Sequence, residues 1–160
     1  MAPVISFVGR HNSGKTTLLA GIVTILEQQG IRTAVVKHAS SGLDLMGKRD
    51  SDQLFQAGAS MVYAVSTGLS LIYRRENDIN LEAICHKIGS DFDLIISEGF
   101  KKEAFPKIEV LRKDISTSTL DIDNVVARVT DFPLESSVPG FSFDQRQDIA
   151  DYIRKYFGLK

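Results

Sequence analysis

Val4-Ile5-Ser6-Phe7-Val8-Gly9-Arg10-His11-Asn12-Ser13-Gly14-Lys15-Thr16-Thr17-Leu18-Leu19-Ala20-Gly21-Ile22 decides how the rest of the chain is read. An apolar run, Val4 to Val8, leads into a glycine-bounded loop ending in Gly14-Lys15-Thr16, and a helical pattern follows. A strand, a loop of this form and a helix make the context in which a Walker A pattern is a site and not a text match. A helix start carries unpaired N–H groups and the positive end of the helix dipole, so the turn favours an anion. Gly9 and Gly14 carry no Cβ, which lets the backbone of Arg10, His11, Asn12 and Ser13 wrap close to phosphate oxygens. In such a loop Lys15 reaches the terminal phosphates, the Thr16 hydroxyl completes a Mg²⁺ shell, and Thr17 opens the helix beside them. A glycine turn that binds nothing is the bland alternative.

Length and composition bound the answer. At 160 residues there is room for one full core but not for two ordinary domains. The apolar share of 43% and the charged share of 24% belong to a soluble globular chain. A formal net charge of −1 argues against a nucleic-acid protein held by bulk electrostatics. No apolar run reaches bilayer length, and no basic segment precedes an apolar one at the N-terminus, so neither a membrane span nor a secretion signal is expected. With the single cysteine, Cys85, unable to pair internally, the expected compartment is the cytoplasm. Cys85 falls with Leu81, Ile84 and Ile88 on one helical face after Asn80, which favours a buried apolar cysteine over a nucleophile, while His86 lies on the polar face.

Outward from the opening stretch, the first helix runs from Thr17 to about Gln29 and stops at Gly30. Ile31 to Lys37 reads as a strand, parallel to the first through a right-handed crossover. Residues 39–49 form a loop at the strand's carboxyl end, where open α/β sheets bind ligands. Asp50 to Gln56 is a short helix stopping at Gly58. Ser60–Val65 and Leu69–Tyr73 are strand-like around Ser66-Thr67-Gly68, a hairpin with a loop of about three residues. Appended to a parallel sheet, so apolar a hairpin either folds over its own sheet or pairs with another chain. Leu94-Ile95-Ile96 is a central strand, and Glu98 at its end stands where an acid holds Mg²⁺ or its waters. Ile108–Arg112 is a further strand, 114–123 a polar loop, and Asn124–Val129 the last strand. A final helix carries Ile149, Tyr152, Ile153, Tyr156 and Phe157 as an apolar stripe, with Asp144 and Gln147 spaced as a capping box and Gly158 at its end. The expected architecture is α/β: one domain, a doubly wound, mostly parallel sheet of the P-loop NTPase type with an inserted antiparallel hairpin at about 60–75.

These residues support Mg-nucleotide binding without choosing the base. A GTPase usually shows Asn-Lys-x-Asp after a late strand; here Arg128-Val129-Thr130-Asp131 keeps only the acid, so Asp131 either reads guanine or caps the turn at Pro133. The loop Gly9–Thr17, Val36-Lys37-His38-Ala39 followed by Asp44, Asp50-Ser51, Ala57-Gly58-Ala59, Glu98-Gly99-Phe100-Lys101 and Pro106-Lys107-Ile108-Glu109-Val110 together resemble the molybdopterin-guanine dinucleotide biosynthesis protein B (MobB) family. The match runs in order from residue 4 to about 131. It departs from the family after His38, where Ser40-Ser41-Gly42 stands in place of further histidine.

The resemblance implies a homodimeric protein that binds GTP and Mg²⁺, hydrolyses GTP weakly, and assists the MobA-type guanylyltransferase that joins GMP to molybdopterin. It implies that the hairpin takes part in the dimer. It gives Lys15 and Glu98 the catalytic positions and Thr16, Glu98 and Asp44 the metal. Lys37 and His38 become candidates for a second anion, with a backbone-bonded strand-end histidine as the plainer reading of His38. Asp44 and Asp50 either help position the metal or are solvated. Lys101 and Lys102 with Lys107 form a basic cluster for phosphates of a pterin or for a partner's acidic face, or a solvated charge run. No glutamine stands where it would orient an attacking water, so slow or partner-dependent hydrolysis is expected. Two other functions use the same loop: a small-molecule kinase, poorly served by the sparse basic residues of 112–131, and a non-hydrolysing nucleotide-binding adaptor.

Overall fold

The computed structural model describes residues 1–39, 42, 43, 45, 47–77 and 80–160, which divide into two compact units, 1–38 with 81–160 and 39–80. The larger unit is built on β1 (Val4–Val8), β2 (Thr33–Lys37), β5 (Leu94–Glu98), β6 (Lys107–Val110), β7 (Val125–Val129) and β8 (Gly140–Phe141). They form one six-stranded sheet in the order β2-β5-β1-β6-β7-β8, every pairing parallel. The smaller unit contains α2 (Asp50–Gln56) and the antiparallel pair β3 (Met61–Ser66) and β4 (Leu69–Arg74). No helix among the described residues is long and apolar enough to cross a membrane.

Strand alternation sends successive side chains to opposite faces, and both faces of the large sheet are covered. On one, Ile5, Phe7, Leu94, Ile96, Ile108 and Val110 pack under α1 (Lys15–Gln28) and α4 (Arg146–Phe157), which contribute Leu18, Ile22, Leu26, Ile149 and Ile153. On the other, Val4 and Ile95 meet Leu81 and Cys85 of α3 (Leu81–Ile88). Cys85 is therefore the buried apolar residue its spacing predicts, and burial raises its thiol pKa, which leaves it inert. β1 and β5 are buried along their whole length, as expected for central strands with helices on both sides. Their two serines are paired neighbours, and Ser97 Oγ donates to Ser6 Oγ at 2.7 Å, so neither hydroxyl is orphaned.

Several boundaries differ from the expectation for local reasons. α1 begins two residues early, at Lys15, because Gly14 with φ 85° turns the loop directly into the first helical turn. β2 begins at Thr33, since Ile31 still closes α1 by donating its N–H to the Leu26 carbonyl. β7 is not the last strand. Gly140-Phe141 adds β8 beside it, too short to carry a periodic signal. Asp144 and Gln147 do not form the expected capping box. Gln145 stands at the helix start instead, its Oε1 accepting from Ser142 N and its Nε2 donating to Asp148.

The hairpin also differs. It forms a two-stranded sheet of its own and does not extend the parallel one. Ser66 and Leu69 are paired, so its turn is the two residues Thr67-Gly68, with Gly68 at φ 79°. Within this unit α2 is fastened to β4 and the residue after it. Tyr73 donates its phenol to Asp52 Oδ1 at 2.5 Å, and Arg75 donates to the Phe55 and Ala59 carbonyls while lying 4.3 Å over the Phe55 ring.

Candidate functional site

The loop 9–14 is shaped by close backbone approach. A Cβ on Gly9 would stand 2.3 Å from the Val110 carbonyl oxygen, so only glycine lets β1 leave the sheet beside β6. Asn12 (φ 60°) and Gly14 (φ 85°) are both left-handed, which curls the segment. Ser13 is buried within the curl; Arg10, His11, Asn12 and Thr17 are exposed around it. Successive N–H groups in such a turn, with α1 starting at Lys15, form an anion-binding concavity.

Lys15 folds back over the curl, donating to the Arg10 carbonyl at 2.7 Å and to Ser13 Oγ at 3.4 Å. Burial lowers its pKa; Glu98 opposes this shift and Lys37 adds to it. A cation so placed gains from an incoming anion.

Thr16, one residue on, points to the sheet. Its Oγ1 donates to Glu98, 2.9 Å from each carboxylate oxygen. Glu98 is buried at the carboxyl end of β5, and Lys37, its registered neighbour on β2, completes the group. Lys37 Nζ lies 3.3 Å from Glu98 Oε2 and donates to Thr16 Oγ1 at 3.1 Å. The hydroxyl hydrogen thus serves the carboxylate while an oxygen lone pair faces a cation. This donor set fits Mg²⁺, which takes one or two protein oxygens and leaves its other positions to water and phosphate. No cluster of three or more His, Cys, Asp or Glu exists among the described residues, so the rest of the shell would come from outside the protein.

His38 continues the strand end. Its N–H donates to the Glu98 carbonyl, and its ring meets Phe100 edge-on at 5.1 Å. Gly99, at φ 96°, allows this, because a Cβ there would lie 3.0 Å from His38 Cβ.

The model of the family Molybdopterin guanine dinucleotide synthesis protein B (MobB) matches residues 4–131, from the first strand to the acid after β7. The chain belongs to this family. Two molybdopterin-guanine dinucleotide biosynthesis adapter proteins are among its relatives. That of Haemophilus influenzae is 31% identical, the match covering 96% of this chain and 89% of the relative. That of Escherichia coli is 30% identical, covering 96% and 92%. A crystal structure of molybdopterin-guanine biosynthesis protein B superposes with a TM-score of 0.81 at 30% identity, covering 96% of this chain and 99% of that one. Bacillus subtilis MobB shares the fold, with a TM-score of 0.81 at 24% identity over 99% of both chains.

Not every expected residue of this MobB chain joins the group. Asp131 turns back on β6: Oδ1 accepts from Lys113 N at 2.7 Å, and Oδ2 lies 3.8 Å from Arg112. Lys101 is exposed in the turn after Phe100. Lys107 does not belong to a surface basic cluster. It is buried, its ammonium donating to the Phe105 and Asp123 carbonyls, and desolvation lowers its pKa. Asp44 lies outside the described residues, and Asp50 is exposed at the start of α2 in the smaller unit.

One residue at the site carries no motif. Arg112, just past β6, lies 4.2 Å over the Phe143 ring, and its Nε approaches the Ser13 carbonyl at 3.5 Å. Its Nη2 is 3.0 Å from where a Gly14 Cβ would be, so it walls the loop at Gly14. Only the strand order, which sets β6 beside β1, brings it there.

Proposed function

We propose that this chain is a GTP-binding adapter of molybdenum-cofactor biosynthesis, assisting a MobA-type guanylyltransferase in attaching GMP to molybdopterin. The observation that carries the nucleotide reading is the convergence of Thr16 and Glu98 beside the curled loop and Lys15. Family membership, and the relatives named as biosynthesis adapter proteins, support the pathway. In this reading the loop N–H groups and Lys15 bind the phosphates. Thr16 and Glu98 hold Mg²⁺, which would neutralise charge on the β- and γ-phosphate oxygens. Arg112 walls the phosphates on the β6 side, with Asp131 Oδ2 3.8 Å from it. The chain would act as a homodimer through the hairpin, with hydrolysis weak or dependent on the partner, since nothing in the group described presents a glutamine to a water.

Calorimetric titration with Mg-GTP and Mg-ATP, repeated on Lys15→Ala, tests the reading. Preference for GTP of tenfold or more, about 1.4 kcal/mol, lost in the variant, is the expected result. Equal or tighter ATP binding would overturn the guanine assignment, and a basal turnover near ~10 s⁻¹ would overturn the weak-hydrolysis assignment.

A further inference from the structure

Lys37 occupies an unusual position for a surface lysine. It closes an edge strand with its side chain half exposed, yet its ammonium reaches over the sheet end to Thr16 Oγ1 at 3.1 Å and Glu98 Oε2 at 3.3 Å. These are the two side chains whose oxygens fit a divalent cation. The Thr16 hydroxyl is oriented for that purpose already, with its hydrogen committed to Glu98 and its lone pair to the positive charge. A second lysine, Lys15, lies close enough to Glu98 and Lys37 for each to shift its pKa. One carboxylate therefore faces two ammonium groups. Lys15 is held on the loop side by the Arg10 carbonyl, while Lys37 is the one on the threonine and the acid.

We infer that Lys37 is a tethered cation that takes the divalent metal's place on Thr16 and Glu98 and competes with the metal for it. The inference rests on the nucleotide reading above and adds to it a determinant of metal dependence. Before a metal arrives, the lysine keeps the buried carboxylate from standing unpaired and fixes the Thr16 rotamer, so the site is preformed. A metal has to displace the ammonium, whose long flexible stem lets it swing into solvent. Metal affinity is lowered by the cost of that displacement, while nucleotide alone meets two ammonium groups and needs less help from metal.

Mn²⁺ serves as the probe, because its free and bound forms are counted directly by electron paramagnetic resonance. The protein is titrated with GTP in EDTA, and the GTP complex, freed of chelator, is then titrated with Mn²⁺, for wild type, Lys37→Met and Lys37→Arg. Circular dichroism melting checks that the variants fold. Lys37→Met is expected to bind Mn²⁺ at least tenfold more tightly than wild type and to bind metal-free GTP more weakly, with Lys37→Arg near wild type on both. Mn²⁺ affinity unchanged or weakened in Lys37→Met overturns the inference while leaving the nucleotide reading intact. No GTP binding by the wild type, with metal or without it, overturns both.

Discussion

Thr16 and Glu98 stand 82 residues apart in sequence, yet the threonine hydroxyl lies 2.9 Å from each oxygen of the carboxylate. A hydrogen bond to a charged group contributes about 1.5–3 kcal/mol, and here it also aims the oxygen that would meet the metal. Thr16→Ala should therefore weaken Mg-GTP binding by roughly ten- to a hundredfold, while Thr16→Ser, which keeps the hydroxyl, stays near wild type. Calorimetry at fixed Mg²⁺ measures both. Equal losses in the two variants would assign the effect to the missing methyl and not to the hydroxyl.

Gly9 makes a steric prediction where Gly30 makes a conformational one. A methyl at Gly9 collides with a β6 carbonyl at 2.3 Å, and that oxygen belongs to the sheet backbone and cannot move aside. Gly30 has open space around it, and its φ of 81° alone opposes a side chain. Gly9→Ala should cost about 1–3 kcal/mol of stability by overpacking and abolish nucleotide binding. Gly30→Ala should cost about 1 kcal/mol through left-handed strain and leave binding unchanged. Thermal melts followed by titration at a temperature where both variants are folded separate the two effects.

The smaller unit should open in acid. Tyr73 donating to Asp52 is the largest influence holding that carboxyl below its ordinary 3.8, with the Arg49 N–H adding to it. A group whose folded pKa is depressed contributes stability that is complete above the unfolded value and is lost as pH falls through the folded one. The contact between α2 and the hairpin should thus hold at neutral pH and loosen once pH drops below about 3.8. Amide exchange across residues 50–56 and 61–74 as a function of pH reads this directly. Asp52→Asn should exchange faster at neutral pH and lose that acid transition; an unaltered transition would move its origin to another carboxylate.

How much of this was legible depends on the range over which each signal acts. The loop, Lys15, Thr16 and Glu98 were readable because each lies at a strand end or helix start marked by local pattern. The partnership of Lys37 with Glu98 was only half readable: both residues stood out, but their adjacency is a matter of β2 lying beside β5. Arg112 was not readable at all, because nothing around it in sequence mentions Ser13 or Phe143. Lys107 misled because a lysine near Lys101 and Lys102 looks like surface charge, whereas two loop carbonyls hold it inside. β8 was missed because two residues cannot display a period of two.

Glu109 and Arg128 provide a stability test away from the site. Glu109 is fully buried on β6, accepts from Leu120 N, and is 2.9 Å from Arg128 Nε on β7. Removing one member of a buried pair leaves an uncompensated charge, at a cost of about 3–5 kcal/mol. Arg128→Met should fall in that range in urea denaturation. Arg128→Met with Glu109→Leu should recover most of the loss, since the charge that needed a partner is then gone. A double variant as unstable as the single one would mean that the carboxylate's bond to Leu120 matters more than the arginine does.

The hairpin carries the last prediction. The alternation and register of β3 and β4 put Met61, Tyr63, Val65 and Ile72 on one face of the hairpin, all of them exposed, Val65 by 73%. Contiguous apolar surface on a two-stranded sheet is rare in a monomer and marks an interaction face. In the proposed homodimer a second copy of the chain covers it, so a charge placed there should be expelled from the contact. Val65→Lys with Ile72→Lys should convert a dimer to a monomer in sedimentation velocity, while thermal stability of the larger unit stays near wild type. Neither residue packs against α2 through any of the contacts that fasten it, which run through Asp52, Phe55, Tyr73 and Arg75. A wild-type chain that sediments as a monomer at tens of micromolar would overturn the dimer, and a double variant that remains dimeric would place the contact elsewhere.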